Sequence, residues 1–263
     1  MQLKLVKRVI GDPKEFYKLT GNYEKRMGKY TSSKYGLSRL PTVNILDIFP
    51  DLDITIKNYT YLTGTSMVTD IALLSLLAKS IPDCDYMEIG SWRGESISNV
   101  AVYAKSCLSF TLSKEDIISY GWGEKIAELE GFFTANIPNL KVIYADSAKF
   151  DFSTLNKKFD LIFIDGDHSY TGVLKDTQNA FKLLKNKNSI IVWHDYAFDT
   201  EAVRHSVMAA ILDGTPKEFQ KDLYHVSNTM CAIYSPKQLK SYNLESPAKP
   251  DKTFTVNIKA KRI

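Results

Sequence analysis

Apolar runs alternate with segments of helical periodicity through the middle of the chain. Unbroken runs of β-prone residues predict strands, and apolar residues spaced three to four apart predict helices. The predicted strands span 85–90, 107–112, 140–145, 159–164 and 189–193, and the predicted helices span 69–81, 95–104, 124–135, 170–184 and 202–212. This alternation predicts the α/β class, a doubly wound, mostly parallel sheet with helices on both faces.

The pattern changes after residue 212. Two short β-prone runs, 223–226 and 230–234, flank Ser227-Asn228-Thr229 and predict an antiparallel C-terminal hairpin, which completes a sheet of seven strands. Near the end of the chain Phe254, Val256 and Ile258 alternate with polar residues, which predicts one more amphipathic strand.

Three parts of the chain follow from these patterns: an N-terminal extension over 1–65, a central domain over 66–235 and a C-terminal tail over 236–263. The extension has little periodicity. It is interpreted as a lid, a substrate-binding segment or a dimer arm, or as an irregular layer packed on the core.

Composition excludes several classes of protein. Of the 263 residues, 44% are hydrophobic and 24% charged, as in ordinary globular proteins. The 34 basic and 30 acidic residues are interspersed, so the basic stripe of a nucleic-acid binder is missing. The longest apolar stretch, 71–78, is too short to span a bilayer, and the first residues lack the apolar core of a secretion signal. We therefore expect a cytoplasmic protein without nucleic-acid or membrane partners.

Polar residues follow the predicted strands. The first strand runs into Glu88-Ile-Gly90-Ser-Trp-Arg-Gly94, whose G-x-x-x-G spacing differs from the dinucleotide motif G-x-G-x-x-G. Taken alone, this motif also fits a tight turn between strand and helix. Asp146 follows the third strand, and Asp165-Gly-Asp167-His168 follows the fourth. Because the carboxyl ends of parallel strands meet at one edge, we expect a ligand crevice there.

In this order, the motifs from about Thr69 to Tyr234 resemble those of the class I S-adenosylmethionine-dependent methyltransferases. The resemblance implies a Rossmann-like methyltransferase fold with S-adenosylmethionine as cofactor. The family usually has an acid at the end of the second strand for the ribose hydroxyls, whereas this chain has Phe110-Thr-Leu-Ser113, with Ser113 or Glu115 as candidates. The implied cofactor-binding residues are Glu88, Gly90, Ser91, Trp92, Gly94, Ser113, Asp146, Ser147 and Asp165.

A narrower resemblance comes from 164–170 and 192–196, which are similar to the O-methyltransferases of the cephalosporin-hydroxylase, macrocin and rhamnosyl type. It implies methyl transfer to a hydroxyl of a small molecule, a sugar or a glycosylated compound. In metal-dependent members, an aspartate after the fourth strand and an acidic pair after the fifth bind a divalent cation, and the matching residues here are Asp165, His194 and Asp195.

His194 takes the place of an acid in that set. Magnesium prefers oxygen ligands, whereas imidazole suits manganese, iron or zinc. Three alternatives stay open: the metal differs from magnesium, His194 points elsewhere as a hydrogen-bonded structural residue, or no metal binds.

His168 is the candidate catalytic base, since related sugar methyltransferases use a histidine three positions after the metal-binding aspartate. Asp167 is the second candidate, and it also fits a cap of the following helix. Two other function classes are a catalytically silent binding protein with the same fold and a nucleotide-dependent oxidoreductase. The extensions at both ends are compatible with a homodimer.

Overall fold

The computed structural model of the protein describes the backbone from residue 13 and the side chains from residue 22, in both cases to residue 263. The first twelve residues of the N-terminal extension lie outside the described part. The helices are α1 (Pro13–Tyr35), α2 (Ile45–Ile48), α3 (Val68–Ser80), α4 (Glu95–Val100), α5 (Lys114–Ser119), α6 (Glu124–Ala127), α7 (Tyr170–Lys182) and α8 (His205–Gly214). The strands are β1 (Thr42–Val43), β2 (Asp85–Ile89), β3 (Ser106–Thr111), β4 (Leu140–Tyr144), β5 (Leu161–Ile164), β6 (Ile190–Trp193), β7 (Leu223–Val226), β8 (Ala232–Tyr234) and β9 (Ser241–Tyr242).

In the described part of the chain, nine strands form one sheet in the order β4-β3-β2-β5-β6-β8-β7-β1-β9. Strands β2 to β6 pair in parallel, and the hairpin of β7 and β8 joins β6 in antiparallel orientation. The predicted α/β class and C-terminal hairpin are confirmed. The count of seven strands was too low, because the two-residue strands β1 and β9 extend the edge beyond the hairpin. No sequence pattern marks strands this short.

Strand β5 lies in the middle of the sheet, and its residues alternate between the two faces. Ile162 and Ile164 join one apolar cluster, and Leu161 and Phe163 join the cluster on the opposite face. None of these four side chains is more than 3% exposed. An unbroken apolar run is therefore what a strand covered by helices on both faces requires.

The start of α3 differs from the prediction. The helix was predicted from residue 69, but it begins at Val68 and is preceded by Met67. The Asp70 carboxylate accepts a hydrogen bond from the Met67 backbone nitrogen at 2.8 Å, so it satisfies a free donor from inside the first turn.

Two other predicted elements are shorter or missing. The helix predicted over 124–135 ends at Ala127, and the following turns include Gly131 at a φ of +73°. The strand predicted around Phe254, Val256 and Ile258 is wrong, since these side chains are 39 to 71% exposed and the backbone is irregular. Alternation alone does not form a strand when β9 already pairs with β1 at that edge.

Helix α1 packs against α8 and is held there by the carboxylate of Asp213. Tyr30 and Tyr170 donate to this carboxylate at 2.9 and 2.7 Å, and Tyr35 donates to it as well. Lys34 completes the cluster at 2.6 Å. The N-terminal extension is thus bonded to α8, and Tyr170 of α7 shares the same carboxylate. In the described part, the model contains no helix that combines the length and apolar character of a membrane span.

We expect Asp213→Asn to lower the free energy of unfolding by about 1–3 kcal/mol at pH 7, because it weakens four hydrogen bonds to one charged group. Burial alone would raise the pKa of Asp213, but Lys34 and the tyrosines hold it below its usual range. Its contribution is therefore complete above about pH 4 and is lost as the pH falls through the lowered pKa. Urea unfolding at several pH values measures the contribution of Asp213 to the free energy of unfolding. Asp51→Asn, at an exposed site, is the control. Equal losses in both variants would contradict this.

Candidate functional site

The carboxyl ends of β2, β3, β4 and β5 border a cavity of about 580 Å³. The loop from Gly90 to Gly94 forms one side of it. At Gly90 the φ is +93°, and a Cβ there would overlap the backbone carbonyl of Asp165. Glycine is needed at this position because the loops after β2 and β5 touch. Trp92 also has a positive φ, +36°, so the loop is strained beside the cavity.

Most residues predicted from the sequence come together here. Those that line the cavity are Gly90, Ser91, Trp92, Asp146, Ser147, Asp165, Asp167 and His168. Ser113 does not line it, because its hydroxyl accepts a hydrogen bond from the Asp116 backbone nitrogen at 3.0 Å and caps α5. Gly94, at a φ of +85°, supports the loop from behind and packs against Thr134.

Glu88 lies beneath the loop and not in the cavity wall. It is fully buried, and it accepts hydrogen bonds from the Tyr86 hydroxyl at 2.6 Å and the Ser96 hydroxyl at 2.5 Å. Burial raises its pKa to about 8. This acid joins the end of β2 to α4, and it fixes the loop above it.

A second wall comes from the N-terminal extension. Gly64 and Ser66 line the cavity, and their segment is tied down by the buried ion pair between Arg93 and Glu95, whose atoms lie 2.9 Å apart. Arg93 donates to the Thr65 hydroxyl at 2.7 Å, and Glu95 accepts from the Thr60 backbone nitrogen at 3.0 Å. The extension therefore closes one side of the crevice.

The three predicted metal ligands also meet. One ligand atom each from Asp165, His194 and Asp195 lies within 4.8 Å of the others. His194 Nδ1 is 3.1 Å from Asp165 Oδ1 and 3.2 Å from Asp195 Oδ2, yet neither contact has hydrogen-bond geometry. Burial alone would lower the pKa of His194, but the surrounding carboxylates, Asp165 foremost, raise it well above its ordinary value.

Asp70 fixes the orientation of His194. It is fully buried, and its Oδ2 lies 3.2 Å from His194 Nε2. The same carboxylate accepts from the backbone nitrogens of Met67 at 2.8 Å and Met230 at 2.9 Å. In many metal-binding histidines, a carboxylate contacts one ring nitrogen and the other ring nitrogen faces the metal ligands. His194 has this arrangement.

His168 stands beside this cluster at the mouth of the cavity, with half of its side chain exposed. Its Nδ1 lies 2.9 Å from Asp195 Oδ2, and Arg204 contacts Asp195 Oδ1 at 3.2 Å. Burial would lower the pKa of His168, but Asp195 raises it above its ordinary value. Burial would raise the pKa of Asp195, but the two histidines hold it far below the usual range. Asp195 has a φ of +55°, a strained conformation of the kind found at functional sites.

Asp167 is held in a turn next to His168. Its oxygens accept from the Ser169 backbone nitrogen at 2.8 Å and the Ser169 hydroxyl at 2.6 Å. Ser169 caps α7 by accepting from the Gly172 backbone nitrogen at 3.1 Å, so the helix cap is Ser169 and not Asp167.

Asp146 faces the opposite end of the cavity. It accepts a hydrogen bond from the Tyr120 hydroxyl at 2.6 Å, and Lys149 lies 3.0 Å from it. Burial alone would raise the pKa of Asp146. The hydrogen bond from Tyr120 and the contact with Lys149 nevertheless lower this pKa below its ordinary value. Tyr120 and Trp122 form the exposed aromatic rim.

Two residues of the site have no motif in the sequence. Asp70 lies 124 positions before His194, in the first turn of α3. Glu130 lines the cavity from a segment predicted as plain helix. The acidic type of each residue is visible in the sequence, but its neighbours depend on the tertiary fold.

A family model described as a methyltransferase domain matches residues 87–196, which hold the glycine loop, Asp165 to His168 and the His194-Asp195 pair. This segment is similar to methyltransferase domains. The predicted class I methyltransferase resemblance is thereby confirmed.

Relatives of the methyltransferase domain are distant. A 118-residue stretch is 30% identical to the uncharacterized protein R132 of Acanthamoeba polyphaga mimivirus, covering 43% of this chain and 52% of that protein. The chain thus spans about half the length of this curated relative. Among solved structures, cofactor-bound Rv0187 from MTB is 18% identical, with 65% of this chain and 81% of that chain covered and a TM-score of 0.49. The Bacillus cereus O-methyltransferase in complex with SAH is 15% identical, with 79% and 95% covered and a TM-score of 0.44.

We expect Gly90→Ala to destabilise the methyltransferase domain by more than about 3 kcal/mol, because the new methyl group adds an overlap with Asp165 to the cost of a positive φ. Gly36→Ala is the matched control. Gly36 also has a positive φ, +70°, but nothing lies within 4 Å of its Cβ position, so only about 1–2 kcal/mol of strain applies. Chemical denaturation compares the two, and equal losses would show that the loops do not touch.

Proposed function

We propose that the protein is an S-adenosylmethionine-dependent O-methyltransferase that acts on a hydroxyl of a sugar or a glycosylated small molecule. The observation that carries the proposal is the pairing, across one cavity, of the strained glycine loop with Asp165 and His168. These two residues contact His194 and Asp195, which lie outside the cavity lining. The glycine loop suits a nucleoside-linked cofactor, and the group around Asp165 and His168 suits a hydroxyl that must lose a proton.

The cavity fits such a cofactor in size and lining. Ligand cavities in proteins commonly measure about 300–1,000 Å³, and this one measures about 580 Å³. Gly90, Ser91 and Trp92 would hold the methionine end, because the loop exposes backbone to the cavity. Asp146 and Ser147 would lie beside the adenine. Glu88 and Gly94 would support this site without contacting the cofactor.

A divalent cation also fits the residues present. Asp165, His194 and Asp195 would hold it, and the fit depends on the buried Nδ1 of His194, which has no hydrogen-bond partner in the described part of the chain. One imidazole and two carboxylates suit manganese, iron or zinc better than magnesium. When bound, the cation would orient the acceptor hydroxyl and lower its pKa as a Lewis acid.

His168 is the proposed general base. Asp195 faces its Nδ1, which leaves Nε2 to receive the proton. In the transfer, the acceptor oxygen attacks the methyl carbon, the bond from carbon to the sulfonium sulfur breaks, and the hydroxyl proton passes to Nε2. The products are the methyl ether and S-adenosylhomocysteine. Placing the oxygen in line with the methyl group contributes to the rate by removing the entropy cost of an encounter.

The proposal is tested by measuring melting temperatures with S-adenosylmethionine, NAD and NADP. A ligand that binds only the folded protein raises the melting temperature, and we expect a rise with S-adenosylmethionine alone. Methyl transfer to a panel of sugars and glycosylated compounds then tests the acceptor class by mass spectrometry. A rise with NAD instead, or none at all, would contradict the proposal.

We expect His168→Ala to reduce kcat by about 10²–10⁴-fold, because the acceptor loses its proton acceptor. The affinity for S-adenosylhomocysteine should stay within about threefold, since Gly90 to Trp92 and Asp146 are untouched. Initial rates and calorimetry on the same preparation separate the two effects. Full activity in this variant would rule out His168 as the base.

We expect Asp70→Asn to weaken binding of Mn²⁺ or Zn²⁺ by about 10–100-fold, because Asp70 orients the ring of His194. Calorimetry with chelator-treated protein measures this without an activity assay. Asp167→Asn is the control, since Asp167 lies beside the cluster but forms hydrogen bonds only with Ser169 in the described part of the chain. Equal metal affinities in the wild type and Asp70→Asn would contradict the assigned role.

A further inference from the structure

Glu130 is a buried carboxylate in the cavity wall that has no part in the chemistry described above. It is 8% exposed, and its Oε2 accepts a hydrogen bond from the Thr111 hydroxyl at 3.0 Å. In the described part of the chain, its Oε1 has no hydrogen-bond partner and no cationic side chain forms an ion pair with it. Burial raises the pKa of Glu130 to about 7. A ligand that donates hydrogen bonds would offset the cost of this buried acceptor.

The backbone around Glu130 fixes its place. The Gly131 nitrogen donates to the Trp92 carbonyl at 2.9 Å, and the Phe133 nitrogen donates to the Arg93 carbonyl at 2.8 Å. Thr111, which holds the carboxylate, is the last residue of β3. Glu130 therefore lies between the glycine loop and the carboxyl end of β3.

This place has a chemical meaning in doubly wound folds. An acid at the end of the second strand of a nucleotide-binding unit accepts hydrogen bonds from ribose hydroxyls. Here that strand is β3, and it ends in Thr111 without an acid. The Thr111 hydroxyl instead holds a carboxylate that arrives 19 residues later in the chain.

We propose that Glu130 is the ribose-binding residue of the cavity and accepts hydrogen bonds from the 2′ and 3′ hydroxyls of a nucleoside. Where the nucleoside is that of S-adenosylmethionine, the assignment of Glu130 rests on the proposed function. The candidates near the end of β3 are placed differently. Ser113 caps α5, and Glu115 is exposed and does not line the cavity.

Calorimetry with S-adenosylhomocysteine tests the assignment. At a pH above the raised pKa of Glu130, where its carboxylate is charged, we expect Glu130→Gln to weaken binding about 10- to 100-fold, because hydrogen bonds to a charged acceptor are lost. Glu128→Gln is the matched control, since Glu128 is two residues away, exposed and outside the cavity lining. Its affinity should equal that of the wild type. The melting temperature without ligand, which Gln should preserve, shows that both variants are folded.

The 2′,3′-dideoxy analogue of S-adenosylhomocysteine gives a second measurement. The wild type should bind it about 10- to 100-fold more weakly than the parent compound, and Glu130→Gln should bind the two about equally. Suppose that the wild type binds S-adenosylhomocysteine. If Glu130→Gln binds it as tightly, or still binds the analogue more weakly than the parent compound, the assignment of Glu130 is overturned and the proposed function stands. If the wild type does not bind S-adenosylhomocysteine, both are overturned.

Discussion

The site depends on one fully buried carboxylate. Asp70 receives two backbone hydrogen bonds, one from the start of α3 and one from the loop between β7 and β8, and it also contacts the ring of His194 after β6. A buried acid is costly unless donors surround it, so these three parts of the chain must meet around it. Their meeting point sets which ring nitrogen of His194 faces Asp165 and Asp195. The geometry of the acidic cluster therefore depends on a buried carboxylate that lies outside the cavity lining.

The cavity separates two kinds of electrostatic environment. On the side of Asp165 and Asp195, the carboxylates are compensated by two imidazoles and by Arg204, all in direct contact. On the side of β3, Glu130 has only a neutral hydroxyl as a partner in the described part of the chain. The first environment suits transfer of a proton, whereas the second suits neutral hydrogen-bond donors. The two environments therefore suit different ligand groups, and they are formed by different residues.

The sequence predicted the central sheet and the hairpin, because both depend on local patterns. The grouping of Asp165, His194 and Asp195 was implied by the resemblance to metal-dependent O-methyltransferases. The sequence did not predict the role of Asp70 or Glu130. Their partners come from segments whose approach is set by packing, and an acid on a helix or turn usually lies in solvent. The element ends at Met67 and Ala127 were missed for a related reason: the backbone hydrogen bonds that begin or end a helix depend on neighbouring side chains. The strand predicted around Val256 shows the opposite error, a correct local pattern without a free partner.

Strand β1 has a consequence for the size of the folding unit. It pairs with β7 at the far edge of the sheet, and the chain then returns to place Gly64 and Ser66 in the cavity wall. A protein begun at residue 66 would lose the strand beside β7 and the Gly64 part of the cavity wall together, and one trimmed to residues 87–196 would lose β7 as well. A segment that keeps both features therefore has to include Thr42, and part of the N-terminal extension belongs to the same sheet and crevice as residues 87–196.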